Sequence, residues 1–263
     1  MMMKENRMRQ YKMVMRLAAN DMKARYSASA LGVVWAFIQP LITILVFWFV
    51  FQAGFKTAPV DNVPYILWFI VGYVPWIYFS DVLNFGVNVL SDYSYLVKKV
   101  KFQVEYLPVI RIISSFFVHV FFVVFIFFMF GFYRYRISLK WIQAVYYSGA
   151  LTVFSWGVIM LFSALSVFYK DISQLVSVIL QIGFWATPVF WNPDTIHDIA
   201  VRKVLGLNPM YYIVEGYRAC FIRQDYFWDH PLQAAYFWGI TGIVCCVGLS
   251  AFKRLRPHFA DGL

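Results

Sequence analysis

The sequence predicts an all-α integral membrane protein with six transmembrane helices. An amphipathic interfacial helix precedes them, and two short re-entrant helices lie between the fifth and sixth. Three observations predict this. Hydrophobic residues make up 62% of the 263 and charged residues only 14%, against roughly 25% charged in soluble domains; so few polar side chains cannot build a water-facing exterior. Six apolar runs approach the roughly 20 residues that a helix needs to cross the hydrocarbon core. The cations, 23 Lys and Arg against 13 Asp and Glu, are spread unevenly about those runs. Such a chain is not a soluble enzyme, a disordered chain or a disulfide scaffold. Its three cysteines are Cys220, Cys245 and Cys246, and the last two are adjacent in an apolar run.

Residues 1–30 lack the apolar core of a signal peptide. Arg9, Lys12, Arg16, Asn20 and Lys23 recur at helical spacing, opposite Tyr11, Val14, Met15, Ala18 and Met22. Two such stripes suit a helix lying in the headgroup layer with its cations toward anionic lipid.

Residues 31–263 hold the six runs: Leu31–Ala53, Tyr65–Leu83, Leu107–Gly131, Trp141–Phe168, Leu175–Trp191 and Leu232–Phe252. The fifth is the shortest. Pro40 and Pro75 fall inside the first two, which transmembrane helices tolerate. No internal repeat appears, so an inverted-repeat transporter is not supported. Six crossings leave both termini on one side. That side takes 14 of the Lys and Arg and the other takes 8, so the termini are expected in the cytoplasm. The basic loop Phe132–Lys140 runs against that rule.

Two connections are too unusual to be plain loops. The cytoplasmic segment 91–106 mixes Tyr93, Tyr95, Leu96, Val97, Val100 and Phe102 with Lys98, Lys99 and Lys101. It can lie on the bilayer surface or dock into a partner's groove. Segment 192–231 carries Asn192-Pro193 and Asn208-Pro209. Asn favours the N-cap and Pro the first helical position, so each pair can begin a helix. Both helices would be too short to span, and would dip back into the outer leaflet beside a pathway.

Trp35, Phe37, Phe47 and Trp48 in the first run, with Phe184, Trp185 and Phe190 in the fifth, sit deeper than an interfacial belt. Their faces suit the apolar C–H faces of sugar rings, and equally suit helix packing. Only His119 is a deep ionisable group, which is not the pattern of a proton-coupled pump. There is no P-loop, H-E-x-x-H or G-x-S-x-G.

Five stretches carry a family resemblance: RYSASALGVVWAFIQPLITILVFWFVF (Arg25–Phe51), LVKKVKFQVEYLPV (Leu96–Val109), VFYKDISQLVSVILQ (Val167–Gln181), FWATPVFW (Phe184–Trp191) and LNPMYYIVEGYR (Leu207–Arg218). In this order and spacing, the chain resembles the membrane subunit of type-2 (ABC-2) polysaccharide exporters, the permeases of O-antigen, capsule and teichoic acid export. It departs from them at Lys170, where Arg is usual, and at Val104, near a common Pro.

The resemblance implies a homodimer in a bacterial cytoplasmic membrane, paired with two copies of a separate ABC ATPase. ATP and Mg would bind there, so this chain would hold no cofactor and no catalytic site; nucleic acid is not an expected partner. It implies that Tyr95, Leu96, Lys98, Lys99, Lys101 and Phe102 form a coupling helix in the ATPase groove. The first and fifth runs would wall the path of a glycan on a polyprenyl diphosphate. An anionic diphosphate favours a nearby cation, and Lys23 and Arg25 are the candidates at the entrance. Two other readings stand beside this one. The first is an ABC-2 permease for a drug or lipid. The second is a membrane enzyme acting on polyprenyl-linked sugars, which would need clustered acids or a His–Asp pair facing a headgroup site; Asp81, Asp92, His197 and Asp198 do not converge on one side in the expected topology.

Overall fold

Tyr65–Phe79 is apolar on every side, and a helix of that kind belongs at the centre of a bundle. The computed structural model puts it there. The structure describes residues 2–27, 29–98 and 102–263, with the backbone alone for 2–11. In chain order the helices are α1 (Met2–Arg25), α2 (Trp35–Phe47), α3 (Tyr65–Gly86), α4 (Val89–Asp92), α5 (Ser94–Val97), α6 (Tyr106–Phe132), α7 (Gln143–Ser166), α8 (Ile172–Ala186), α9 (Ile199–Gly206), α10 (Pro209–Arg218), α11 (Pro231–Leu255) and α12 (Phe259–Gly262). Among the described residues the only β pairing is an isolated bridge between Val60 and Val63.

Among the described residues, five helical stretches are long and apolar enough to cross a membrane: Gly32–Gly54, Tyr65–Gly86, Tyr106–Phe132, Leu139–Ser166 and Pro231–Gly262. The run expected over Leu175–Trp191 begins earlier, as α8. Its 15 residues rise only about 22 Å, short of the roughly 30 Å hydrocarbon core. Its two ends are nonetheless tied to opposite ends of α3. Ser173 Oγ donates to Asn88 Oδ1 at 2.6 Å just past the C-terminus of α3, and Phe190 O accepts from Tyr65 OH at 2.7 Å at its N-terminus.

α3 packs against α6, α7, α8 and α10, and α7 pairs with α11. The α7–α11 crossing is close because glycines make it. A Cβ on Gly248 would stand 2.3 Å from Gly157 O, and one on Gly157 would stand 2.8 Å from Cys245 Sγ. Small residues are how membrane helices bring backbones together. α2 and α8 are peripheral: α2 buries only Ala36 and Ile44, and α8 only Val176 and Leu180.

A second core lies at the end of the bundle that carries both chain termini. Val14 and Ala18 of α1 meet Val89, Leu90, Leu107, Ile110, Met160, Ala164, Phe252 and Phe259 there. The apolar stripe of α1 is thus used in part on the protein itself, while Lys12, Arg16, Asn20 and Lys23 remain exposed. Segment 192–231 differs from expectation in its first half. Asn192 accepts from Asp194 N at 2.9 Å but starts only a three-residue turn, Pro193–Thr195. Ile196 is extended, and α9 begins later under Asp198, whose Oδ1 accepts from Ala200 N at 2.7 Å. Asn208 caps α10 as expected, accepting from Met210 N at 3.0 Å.

Candidate functional site

A cavity of about 570 Å³ opens between α2, α3 and α6. From α2 come Ala36, Gln39, Pro40, Thr43 and Phe47, the i, i+3, i+4, i+7 stripe of one helix face. Tyr73, Trp76, Asp81 and Asn84 of α3, Ser115 and His119 of α6 and Phe184 of α8 complete its walls. Gln39, Thr43, Asp81 and Asn84 belong to helices apolar enough to span. Polar groups on such helices face a cavity or the bundle interior, since hydrocarbon cannot satisfy them.

An aromatic ladder extends from the cavity. Phe47 stacks on Phe69 at 4.3 Å and Phe69 on Tyr73 at 5.1 Å. Phe47 also lies 6.1 Å from Phe190, which stacks on Phe184 at 5.4 Å and meets the edge of Trp185 at 4.8 Å. The structure therefore brings Phe47, Phe184, Trp185 and Phe190 together. It does not bring Phe37, Trp48 or Trp35 to them. Phe37 meets Phe121 of α6 at 4.7 Å edge-on, and Trp48 lies in a separate apolar groove with Phe125 and Phe128. At about 100° per residue, Phe37 and Trp48 share one face of the helix, and Phe47 occupies another. Trp35 is exposed.

An ion network, buried at Asp21, Arg25 and Arg111, joins the cavity to segment 91–106. Arg25 of α1 donates to Asp21 at 2.9 Å, to Asp81 in the cavity wall at 3.0 Å and to Ser114 at 2.8 Å. Arg111 of α6 pairs with Asp21 at 3.1 Å and donates to Asp92 of α4 at 2.6 Å. Tyr93 OH donates to the second oxygen of Asp21 at 2.8 Å. Asp21 thus holds two arginines and a phenol. Burial pushes the Asp92 carboxyl above its ordinary value, against the pull of Arg111. Burial, then the Asp21 charge, raises the Tyr93 phenol. The (i, i+4) spacing of Asp21 and Arg25 was a visible signal for one pair; the long-range partners had none.

Of the expected entrance cations, Lys23 is exposed, whereas the Arg25 side chain is 5% exposed with its charge engaged by two carboxylates. In the expected coupling segment, Leu96 and Phe102 pack on the second core. Tyr95 is 57% exposed and Lys98 is exposed. Lys99 and Lys101 lie outside the described residues. Asp81 and Asp92 do converge on one network, through arginines; Asp198 stands apart as the cap of α9.

At the other end, Arg218 is fully buried. Its guanidinium sits 3.3 Å over the Trp68 ring and donates to Glu215 at 2.6 Å and to Val189 O at 2.9 Å. Gly72 leaves it room, because a Cβ there would be 2.6 Å from Nη2. Glu215 also accepts from Arg223 at 2.9 Å. One arginine so locks α10 to α3 and to the chain after α8.

Residues 13–222 match the model of the ABC-2 type transporter family. The chain belongs to that family. An O-antigen export system permease protein RfbA of Myxococcus xanthus is 27% identical over 253 residues, covering 94% of each chain. A Klebsiella pneumoniae protein of the same name is 25% identical over 245 residues, covering 92% of this chain and 91% of its own. As an ABC-2 transporter the chain is a multi-pass membrane permease. The family implies an ABC ATPase partner, so the aromatic cavity belongs to the translocating subunit of an ATP-driven pair.

Proposed function

We propose that this chain is the channel-forming subunit of an exporter that moves a polyprenyl-diphosphate-linked polysaccharide, of O-antigen or teichoic acid class, across the bacterial cytoplasmic membrane. The observation that carries the reading is the cavity with polar groups on α2 and α3 and an aromatic ladder running from it onto α8. A long hydrophilic polymer needs a continuous path that holds each residue weakly. Aromatic faces offer apolar contact without fixed direction, and scattered hydroxyl, amide and carboxylate groups offer exchangeable hydrogen bonds. The relatives named as O-antigen export permeases support the cargo class.

On this reading the working unit is a homodimer with two cytoplasmic ATPase subunits, which hold the ATP and Mg. Residues 1–30 are the interfacial helix, 31–263 the six-span domain, and both termini are cytoplasmic. The ties of α8 to both ends of α3 support counting residues 172–191 as a crossing. Segment 192–231 forms the outer re-entrant element. Segment 91–106, with Tyr95, Leu96, Lys98, Lys99, Lys101 and Phe102, engages the ATPase. The network from Asp92 through Arg111, Asp21 and Arg25 to Asp81 carries its displacement to the cavity.

The test is affinity purification in gentle detergent, together with deletion of the gene. Recovery of a stoichiometric P-loop ATPase, and accumulation of a lipid-linked glycan on the inner face of the deletion strain, are the expected results. A deletion strain with normal surface glycan and another retained solute would replace the cargo. Absence of the ATPase from intact complexes would remove the coupling assignment.

A further inference from the structure

The loop from α6 to α7 carries its charge against the trend of the rest of the chain. FYRYRISLK, residues 132–140, holds Arg134, Arg136 and Lys140 and no carboxylate, at the end of the bundle away from segment 91–106. Below it lies an apolar groove of about 860 Å³ between α6 and α7, walled by Val120, Val124 and Phe127 on one side and Val145, Gly149 and Val153 on the other. Its polar neighbours are turned inward. His119 Nε2 lies 3.0 Å from both Ser148 Oγ and Tyr217 OH, and Thr152 Oγ1 donates to Ser148 O at 2.7 Å.

The loop is held in place. Tyr135 N donates to Phe130 O at 3.0 Å and its hydroxyl donates to Asn62 O at 3.2 Å. Arg134 and Arg136, on either side of that anchor, are exposed, and neither pairs with a carboxylate among the described residues. Lys140 is occupied, with its ammonium against Gln224 O and 4.5 Å over the Tyr226 ring. Just below, Leu139 is 93% and Ile142 74% exposed, and both continue the groove wall. Exposed aliphatic side chains directly beneath exposed guanidinium groups mark a boundary between hydrocarbon and headgroups. The groove residues of α6, Ile112 to Phe127, rise about 22 Å, longer than the ~15 Å hydrocarbon depth of one leaflet.

We propose that this groove and the two arginines bind an anionic phospholipid of the leaflet opposite the coupling segment, with an acyl chain in the groove and the phosphate on Arg134 and Arg136. The guanidinium fork matches phosphate oxygens in two-point geometry. Two cations with no neighbouring carboxylate in the loop favour a headgroup of net negative charge over a zwitterionic one. The site is separate from the α2–α8 aromatic ladder and does not depend on what is exported.

The test is lipid retention by the full-length chain, read by native mass spectrometry after titration with phosphatidylglycerol or phosphatidylcholine. The wild type retains phosphatidylglycerol in preference. Cations near a membrane surface contribute about fivefold each, so Arg134→Gln with Arg136→Gln lowers that preference by on the order of 25-fold. Gly149→Leu fills the groove and lowers retention of both lipids; a Cβ at that position meets nothing within 4 Å. Val145→Trp, at an exposed groove position, does the same should Gly149→Leu disturb folding. Absence of any preference in the wild type, or a preference intact without the arginines, overturns the headgroup assignment. Unchanged retention in both groove variants overturns the acyl assignment.

Discussion

Arg111 of α6 reaches Asp21 of α1 at 3.1 Å, and their side chains are 3% and 2% exposed. The contact joins the N-terminal helix to a membrane-spanning one through a buried charge pair. Removing one partner of such a pair leaves the other charge uncompensated and costs about 3–5 kcal/mol. Asp21 serves Arg25, Arg111 and Tyr93 together, so Asp21→Asn is expected at the upper end of that range. Asp194→Asn, which breaks the exposed pair with Arg202, is expected to cost less than about 1 kcal/mol. Chemical unfolding of both variants in one detergent measures the difference.

The α7–α11 crossing predicts a second loss of stability. A methyl group on Gly248 would meet a backbone carbonyl oxygen at 2.3 Å, and no rotamer change can move a carbonyl. Gly248→Ala must push the helices apart and is expected to cost about 1–3 kcal/mol. Gly239→Ala, on the same helix with open space at its Cβ, is expected to be neutral or slightly stabilising. Thermal unfolding of the pair checks it.

Cys220 follows the α10 helix, and its thiol donates to Lys140 O at 3.2 Å. Burial pushes its pKa up to about 12. The thiolate is the reactive species, so Cys220 stays unlabelled by maleimide across the range in which ordinary thiols ionise, until the protein is unfolded. The linkage sign follows. The folded state keeps a proton that the unfolded state releases, so this contribution is complete below the ordinary thiol pKa and is lost as pH rises toward that of the buried group. Cys220→Ala should flatten that alkaline decline. Labelling of native Cys220 at neutral pH would contradict it.

What was legible in the sequence follows from the reach of each interaction. Long apolar runs announced the five spanning stretches because hydrocarbon demands a minimum length. Asn208-Pro209 announced α10 because a cap acts within three residues. Asn192-Pro193 misled for the same reason: the local signal is real, but Asp198 offered a competing cap. Among the aromatics, Phe47 and Trp48 look alike in sequence and point to different faces. The polar pair Gln39 and Thr43 on the face of Phe47 was the readable clue to which face lines the cavity. Arg111 stood out in the sequence as a charge inside an apolar run, but its partners lie 90 positions before it and 19 before it, beyond any local pattern.

Tyr95 provides a test of the coupling proposal that keeps docking separate from folding. Leu96 and Phe102 pack on the second core, while Tyr95 is turned outward. Tyr95→Ala is expected to leave unfolding unchanged within about 0.5 kcal/mol and to weaken ATPase co-purification by tenfold or more, as truncation of an interface aromatic does when it costs about 2 kcal/mol. Leu96→Ala should lower stability. Co-purification unaffected by Tyr95→Ala would move the docking surface elsewhere.

Lys23 and Arg25 stand two residues apart and are expected to respond differently to the same change. The Arg25 side chain is buried, bridging Asp21 and Asp81. Arg25→Gln therefore leaves two carboxylates short of a cation and should destabilise the chain by several kcal/mol, with any loss of export following from unfolding. Lys23 is exposed. Lys23→Gln is expected to leave the unfolding midpoint unchanged, so a change in export would report on the anionic carrier. Unfolding curves and surface-glycan levels, measured together, separate the two. If Lys23→Gln exports normally while folding normally, the entrance cation is not at this position. A stable Arg25→Gln would show that Arg111 alone neutralises Asp21, and that the network is less tightly coupled than its distances indicate.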